Sequence, residues 1–120
     1  MTRKFFVSYD YRDRSRLQNA LEQLRKRKVL SADDIILVDT KSISEGESFR
    51  DTAREAIGAA DTVLVLWSPA AAESKWVNYE IAMADALGKH LVIVAPRGME
   101  RQPPIPPRSF ELVEIPSGLM

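Results

Sequence analysis

The amino-acid sequence predicts a doubly wound α/β fold, in which a central parallel sheet of about five strands carries helices on both faces. Two features of the chain support this fold class. Short, uninterrupted apolar runs recur along the sequence, and such runs are typical of strands that are covered on both faces. The segments between these runs repeat apolar residues with helical spacing. Alternating strands and helices form a doubly wound sheet when the crossovers are right-handed.

Five segments are predicted as strands, and the last of them is placed at an edge of the sheet. The segments cover residues 4–9, 34–39, 62–68, 90–96 and 110–115. Residues 97–109 are rich in proline, which predicts a loop with some polyproline II conformation before the last strand. An alternative is that this stretch recruits a proline-binding module. The chain, residues 1–120, is expected to form a single domain because its length suffices for one core.

Three helices are predicted between the first four strands, each from one apolar stripe. The stripes are Leu17, Ala20, Leu21 and Leu24, then Phe49, Ala53, Ala56, Ile57 and Ala60, and finally Val77, Ile81, Ala84 and Gly88. Asp10, followed by Asp13, is a candidate N-cap of the first helix, and Ser48 with Asp51 resembles a capping box for the second. The basic run at residues 25–28 is interpreted as the solvated end of the first helix, where the helix dipole favours cations.

The composition excludes several classes of function. Basic and acidic residues number 17 each, so no net charge attracts a nucleic acid or an anionic membrane. The chain lacks cysteine and has a single histidine, His90, which leaves no typical set of metal ligands. No apolar run approaches the roughly 18 residues of a membrane-spanning helix. We therefore expect a cytoplasmic protein that holds no metal and binds neither nucleic acid nor membrane.

The turns that follow the predicted strands lack the common nucleotide-binding and hydrolytic motifs. These turns matter because ligands of open α/β sheets bind at the carboxyl ends of the strands. No Gly-x-Gly-x-x-Gly turn and no Gly-x-x-x-x-Gly-Lys-Ser/Thr loop is present, which argues against a dinucleotide dehydrogenase or a P-loop enzyme. No Gly-x-Ser-x-Gly elbow occurs and the one histidine precedes a strand, so a serine hydrolase is disfavoured.

One carboxylate, that of Glu80, falls on the apolar side of the third predicted helix. The apolar arc spans about 120° of a helical projection and contains Val77, Ile81, Ala84, Leu87 and Gly88. The opposite, solvent-facing side carries Asn78, Asp85 and Lys89. Trp76 lies one turn before Glu80 and is a candidate pocket wall. Two alternatives stay open: Glu80 pairs with an arginine or caps a loop at the margin of the stripe, and Trp76 is a packing residue.

Four motifs occur in register along the chain. They are Phe6-Val7-Ser8-Tyr9 with Asp13, the loop from Asp39 to Glu47 (Asp-Thr-Lys-Ser-Ile-Ser-Glu-Gly-Glu), Trp67-Ser68, and Ser74-x-Trp76-Val77-x-x-Glu80. In this order and spacing the chain resembles a TIR (Toll/interleukin-receptor) domain over residues 4 to about 96. The expected fold is then the flavodoxin-like form of the doubly wound sheet. The opening and the end of the third helix also look like TIR-like proteins of prokaryotic antiphage systems.

The resemblance implies an enzyme that cleaves the nicotinamide–ribose bond of NAD, either an NAD glycohydrolase or an ADP-ribosyl cyclase. It assigns catalysis to Glu80 and places Trp76 beside the nicotinamide or ribose. The other substrate-binding residues that it implies are Ser8, Tyr9, Asp10, Asp39, Ser44, Trp67 and Ser68. The loop after the second strand, about residues 39–48, is implied to mediate assembly through Ile43, Glu45 and Gly46. A structural role in the strand-to-helix turn is an alternative for Ser8, Tyr9 and Asp10.

NAD is a substrate in this hypothesis, so no cofactor is expected. The implied partners are further copies of the domain through TIR–TIR contacts and a fused or separate effector domain, in a prokaryotic immune or antiphage pathway. The alternative function is a non-catalytic TIR scaffold that acts through protein contacts alone. A receiver domain is disfavoured because Asp10, Asp13 and Lys89 do not occupy the positions of its acidic pair and its lysine.

Overall fold

A computed structural model describes residues 3–38, 47–99 and 110–116 of the chain. The strands are β1 (Lys4–Ser8), β2 (Ile35–Val38), β3 (Thr62–Leu66), β4 (His90–Pro96) and β5 (Phe110–Ile115). The helices are α1 (Arg14–Lys26), α2 (Glu47–Ala59), α3 (Pro69–Glu73) and α4 (Lys75–Ala86), and a 3-10 turn (Tyr11–Asp13) precedes α1. The five predicted strands are all observed, and α4 is the third predicted helix.

All strand pairs are parallel, and the strands lie in the order β2-β1-β3-β4-β5. This is the flavodoxin-like order, so the predicted fold class is confirmed, and β5 lies at a sheet edge as predicted. The chain moves from β1 outward to β2 and then returns past β1 to β3, so the direction of winding reverses between β1 and β3. Open α/β sheets bind ligands in the crevice beyond the carboxyl ends of the strands at such a reversal.

Alternate side chains of the strands point into two separate apolar cores. Phe5 and Val7 face α1 and pack against its buried residues, which are Leu17, Ala20, Leu21 and Leu24. Phe6 faces the other way, toward a core to which α2, α3 and α4 contribute Ile57, Ala71, Ala72, Val77, Ile81 and Ala84. Helices therefore cover both faces of the sheet, which is why the interiors of its inner strands β1, β3 and β4 are apolar without alternation. Full burial of one such leucine contributes about 1.5–3 kcal/mol.

The structure corrects the predicted end of the apolar stripe on α4. The helix ends at Ala86, Leu87 is 41% exposed, and Gly88 has a left-handed backbone (φ 69) and is exposed. The Gly88 N–H donates to the Asp85 carbonyl at 3.1 Å and the Lys89 N–H to the Ala84 carbonyl at 2.9 Å. These two bonds form a Schellman motif, which ends the helix before Leu87 and Gly88 can join the buried face.

The same motif ends α1, but with a lysine in the place where glycine is usual. Lys28 has a φ of 61, its N–H donates to the Arg25 carbonyl at 3.1 Å, and the Val29 N–H donates to the Leu24 carbonyl at 2.9 Å. The basic residues 25–28 are exposed, as predicted for a solvated helix end. The guanidinium of Arg27 also donates to the Glu114 carbonyl at 2.6 Å, which ties this helix end to β5.

The short helix α3 was not predicted, and it changes the surroundings of Asn78. Pro69 takes the first position of α3, where its missing N–H has no cost. Asn78 was predicted on the solvent-facing side of its helix, but its side-chain amide donates to the carbonyls of Ser74 at 2.7 Å and Ala72 at 3.2 Å. Asn78 is therefore half-buried and joins α3 to α4.

Several sequence-based expectations fall partly outside the described residues. The side chains of Ser48, Phe49 and Asp51 and most of the proline-rich stretch (residues 100–109) are among these. Residues 97–98 form a turn after β4, which agrees with the predicted loop at its first positions. Within the ranges that the structure describes, no helix combines the length and the apolarity needed to cross a membrane.

The two Schellman motifs give matched predictions for stability. Lys28→Gly is expected to raise the free energy of unfolding by about 0.5–1 kcal/mol, because a side chain at left-handed φ strains the backbone. Gly88→Ala is expected to lower it by about 1 kcal/mol for the same reason. An added Cβ at Gly88 meets no atom within 4 Å, so the loss comes from the backbone and not from a clash. Thermal unfolding followed by circular dichroism measures both changes, and shifts of equal sign would contradict this account.

Candidate active site

Helix α4 holds Glu80 on its buried side. The helix begins after Ser74, whose Oγ accepts a hydrogen bond from the Val77 N–H at 3.1 Å. Glu80 is 0% exposed and shares the buried face of the helix with Val77, Ile81 and Ala84. The structure thus places the carboxylate on the apolar side of the helix, as the helical projection predicts, and well inside the stripe.

Ser8 connects this carboxylate to the sheet. The Ser8 Oγ donates a hydrogen bond to Glu80 Oε1 at 2.6 Å, and Ser8 is itself fully buried. As the last residue of β1, Ser8 points to the same face as Phe6 because side chains alternate along a strand. The distance is typical of a hydroxyl bound to a carboxylate. Glu80 is therefore positioned where β1 and β3 end, at the reversal of winding.

Asp13 and Ser68 form a second buried hydroxyl–carboxylate pair in the same region. The Ser68 Oγ donates to Asp13 Oδ2 and accepts from the Ala71 N–H at 3.0 Å, so that Ser68 caps α3. Both residues are almost fully buried. From the sequence, Asp13 is predicted only as part of a helix start and of a motif, and this pairing was not predicted. The dipeptide Ser68-Pro69, an N-cap followed by proline, is the local sequence signal from which α3 could have been predicted.

Asp10 caps the 3-10 turn and binds an arginine that the sequence analysis did not single out. Its Oδ1 accepts hydrogen bonds from the Arg12 backbone N–H and from Arg12 Nε, both at 2.8 Å. The Arg12 guanidinium also donates to the Ala70 carbonyl at 3.1 Å, which joins the turn after β1 to α3. Desolvation alone would raise the pKa of Asp10, but the hydrogen bonds and charge of Arg12 outweigh it and hold that pKa below its usual value.

The predicted aromatic residues lie in different surroundings. Trp76 is half-buried, and its ring stacks on that of Tyr79 with 5.2 Å between centroids. Trp67 is buried on the α4 side of the sheet, in the core that also contains Val77 and Ile81. Tyr9 is buried in the core on the α1 side, so it faces away from Ser8. The structure therefore brings Ser8 and Glu80 into contact but places Tyr9 on the other face.

The remaining predicted site residues lie outside the described part of the chain. These are Asp39, Ser44, Ile43, Glu45 and Gly46. Their predicted roles in substrate binding and assembly stay predictions, as do the binding roles of Trp76, Trp67, Ser68 and Asp10. In the described ranges, no cluster of three or more histidine, cysteine, aspartate or glutamate residues is arranged to hold a metal ion.

The arrangement offers a fully buried carboxylate, that of Glu80, oriented by a hydroxyl at a ligand-binding position of the fold. Such a group can stabilise positive charge that develops on a substrate, or orient a hydroxyl or a water molecule. Glu80 is 0% exposed, so a substrate contacts it only after neighbouring groups move. The candidate site is therefore closed in this conformation.

The buried pair leads to a prediction for stability. Ser8→Ala is expected to lower the free energy of unfolding by about 1–3 kcal/mol, because it removes a hydrogen bond from a buried carboxylate. Urea unfolding of Ser8→Ala, Glu80→Gln and the double variant gives the coupling between the two residues. We expect a coupling of about 1 kcal/mol or more, whereas additive effects would show that the hydrogen bond contributes nothing.

The ion pair at Asp10 leads to a prediction for pH dependence. Because the folded pKa of Asp10 is lowered from 3.8, its charge stabilises the fold above that pH, and the contribution is lost as pH falls through the folded pKa. Asp10→Asn keeps an oxygen that can cap the turn but removes the charge. The wild-type protein is therefore expected to exceed this variant in stability near neutral pH, with a difference that shrinks below about pH 4. Urea unfolding across this range measures it, and a difference independent of pH would contradict the assignment.

Comparison with known proteins identifies the family and the fold of the chain. The sequence matches a model of the TIR domain over residues 5–117. No curated protein sequence is significantly similar to it. The three solved structures described below have low sequence identity to this chain, so their similarity shows the fold and not the function.

Three solved structures have similar folds. A CMP N-glycosidase of Clostridium botulinum has a TM-score of 0.58 at 14% identity, over 93% of this chain and 88% of that one. A 2-deoxyribosyltransferase of Leishmania mexicana has a TM-score of 0.54 at 18% identity, over 78% of this chain and 64% of that one. The TIR domains of the activated Roq1 resistosome have a TM-score of 0.56 at 19% identity, over 79% of this chain and 58% of that one. Because the family model spans nearly the whole sequence, the chain belongs to the TIR domain family.

Proposed function

We propose that this TIR domain cleaves the nicotinamide–ribose bond of NAD, as an NAD glycohydrolase or an ADP-ribosyl cyclase, with Glu80 as the catalytic carboxylate. The observation that carries the proposal is the position of Glu80, which is fully buried and bonded to Ser8 Oγ at 2.6 Å where β1 ends. A carboxylate on an apolar helix face has a desolvation cost that an apolar residue would avoid. A functional reason for this residue is therefore favoured over a purely structural one.

The cleavage of NAD requires only one catalytic carboxylate. Nicotinamide leaves NAD as a neutral base, so no general acid has to protonate it, whereas O-glycoside hydrolysis uses two carboxyl groups. Positive charge develops on the ribose carbon, and a nearby carboxylate stabilises that charge. In the proposed reaction Glu80 supplies the negative charge and orients the ribose hydroxyls or the attacking water. Ser8 holds one carboxylate oxygen in position and is a positioning residue.

The structural comparisons support the class of reaction. Two of the similar folds are named for chemistry on a sugar, a CMP N-glycosidase and a 2-deoxyribosyltransferase. The first is named for the cleavage of an N-glycosidic bond, which is also the type of bond that joins nicotinamide to ribose in NAD. The choice of NAD as the substrate rests on the motif around Trp76 and Glu80, together with the family match.

The closed site supports a requirement for assembly. Because Glu80 is fully buried, a rearrangement must admit NAD, and in this proposal contacts between TIR domains cause it. The comparison includes TIR domains within an assembled resistosome. We propose that self-association, in prokaryotic immune or antiphage signalling, opens the pocket between Glu80 and Trp76. Residues 39–48 are the proposed assembly segment.

A second candidate function is a TIR scaffold that signals by contact without turnover. In that case Glu80 is a structural carboxylate that Ser8 holds in the closed site. The two functions differ in one measurable respect, because only the enzyme releases nicotinamide.

Nicotinamide release from NAD by concentrated protein, alone and with a crowding agent, tests the proposal. The wild-type protein is expected to release nicotinamide, and Glu80→Gln to lose at least about 100-fold in rate, because the charge that stabilises the transition state is removed. Ser8→Ala is expected to lose about tenfold, mainly in kcat, because Glu80 is no longer held in place.

Glu73→Gln is the matched control for these variants. Glu73 is an exposed carboxylate at the end of α3, so its amide variant is expected to keep the wild-type rate. Chromatography of the products also separates linear from cyclic ADP-ribose. Equal rates for the wild type and Glu80→Gln would refute the assignment of Glu80, and no release by the wild type under any assembling condition would favour the scaffold.

A further inference from the structure

The fold favours an open crevice where β1 and β3 end, but the structure holds this place closed. A crevice forms at a reversal of winding because the segments after the two strands lead to opposite faces of the sheet. The segment after β1 leads to α1 on one face, and the segment after β3 leads to α3 and α4 on the other. Ser8 and Glu80, which meet at this point, are nevertheless 0% exposed.

Residues 10–12 form a short segment, which we call the strap, that crosses from the end of β1 to α3. Its flanking residues, Tyr9 and Asp13, are buried, whereas the strap itself is mostly exposed. The strap begins two residues after Ser8, which donates to Glu80. It is therefore an exposed segment between two buried points, and it directly follows the residue that holds the candidate catalytic carboxylate.

The Arg12 side chain fastens the strap to α3. Its guanidinium donates to the two carboxylate oxygens of Asp10, at 2.8 and 3.3 Å, and to the Ala70 carbonyl at 3.1 Å. Asp10 belongs to the strap and Ala70 belongs to α3, so one guanidinium joins the two sides of the crevice. A guanidinium can bind a carboxylate and a carbonyl together because its donors are fixed in a planar fork.

The contact of Arg12 with α3 is easier to break than the one at the base of that helix. The Arg12 side chain is 58% exposed, and exposed charged contacts contribute little to stability because water replaces them. At the base of α3, Ser68 caps the helix and donates to Asp13, and both residues are buried. Loss of the Arg12 contact therefore frees the strap and leaves the buried pair in place.

We propose that Arg12 is the gate of the candidate active site. Its bond to the Ala70 carbonyl closes the crevice, and release of that bond lets the strap move and exposes Ser8 and Glu80. As a control of catalysis the gate rests on the proposed function, whereas the opening of the strap does not. A contact that draws Arg12 away from α3 opens the site, which gives assembly a structural route to admit a substrate.

The variant Ser8→Cys reports the opening. The chain contains no cysteine, so this variant has a single thiol, and the rate of its reaction with dithionitrobenzoate measures how often the buried position becomes accessible. Adding Arg12→Ala is expected to raise that rate about three- to tenfold, the factor for loss of one or two exposed contacts of a charged group. Arg12→Lys, which keeps the charge but not the fork, is also expected to raise it.

Two further substitutions in the Ser8→Cys protein are matched controls. Arg14→Ala removes an exposed arginine that stacks on the Tyr11 ring at 4.3 Å, so it removes a charge beside the strap without removing a contact with α3. Gly88→Ala is expected to lower stability beyond the end of α4, so it tests opening by global unfolding. Both controls are expected to leave the labelling rate within about twofold of that of Ser8→Cys alone, because local opening does not depend on global stability.

Three results would overturn the gate. They are an unchanged labelling rate with Arg12→Ala, an equal increase with Arg14→Ala, and an equal increase with Gly88→Ala. The second would assign the effect to charge alone, and the third would show that the thiol is reached only by global unfolding. The thiol reaction needs no turnover. An increase specific to the Arg12 variants therefore supports the gate even if the wild-type protein releases no nicotinamide, a result that would count against the proposed reaction only.

Discussion

The hydrogen bond between Ser8 and Glu80 is the constraint on which the arrangement of the site depends. It joins the last residue of β1 to the buried face of α4 at 2.6 Å, across 72 residues of sequence. A buried carboxylate is tolerated only when hydrogen-bonded, and Ser8 provides a hydroxyl directly after the apolar run Phe5-Phe6-Val7 of β1. Rotation of α4 by one residue, about 100°, would move Glu80 away from this hydroxyl. The bond therefore fixes the orientation of the helix as well as the carboxylate.

The polar groups of the fold concentrate at the two ends of the sheet, because helices cover both of its faces with apolar side chains. At the carboxyl ends of the strands, Asp13 with Ser68 and Asp10 with Arg12 join the turn after β1 to α3, beside the contact that holds Glu80. At the amino ends, a separate cavity is lined by residues of both charges, among them Lys28, whose backbone is left-handed, and Glu111. One sheet thus presents two chemically different ends.

Most of the fold could be predicted from the sequence because strands and helices leave local periodic patterns. The five strands were located to within one or two residues, and the buried residues of α1 follow the predicted stripe. The incorrect predictions concern residues that fit the apolar or polar pattern of a helix but whose surroundings depend on where the helix ends or on a neighbouring element. Leu87 and Gly88 fit the helical projection but lie beyond the end of α4, since two hydrogen bonds stop the helix first. Asn78 fits the pattern of the solvent-facing side of α4, but α3 covers it. The helix α3 is too short to leave a periodic pattern in the sequence, so this contact was not predicted.

The sequence by itself determined the fold class, the order of the elements and the side of α4 on which Glu80 lies, because each of these follows from residues close together in the chain. Only the tertiary structure decided which groups Glu80 and Asp13 contact, that Tyr9 faces away from Ser8, and that a cavity forms where the strands begin. Contacts such as Ser68 with Asp13, 55 residues apart, depend on strand order and register. Strand order is a property of the assembled sheet, because it depends on which strands pair across long separations in sequence.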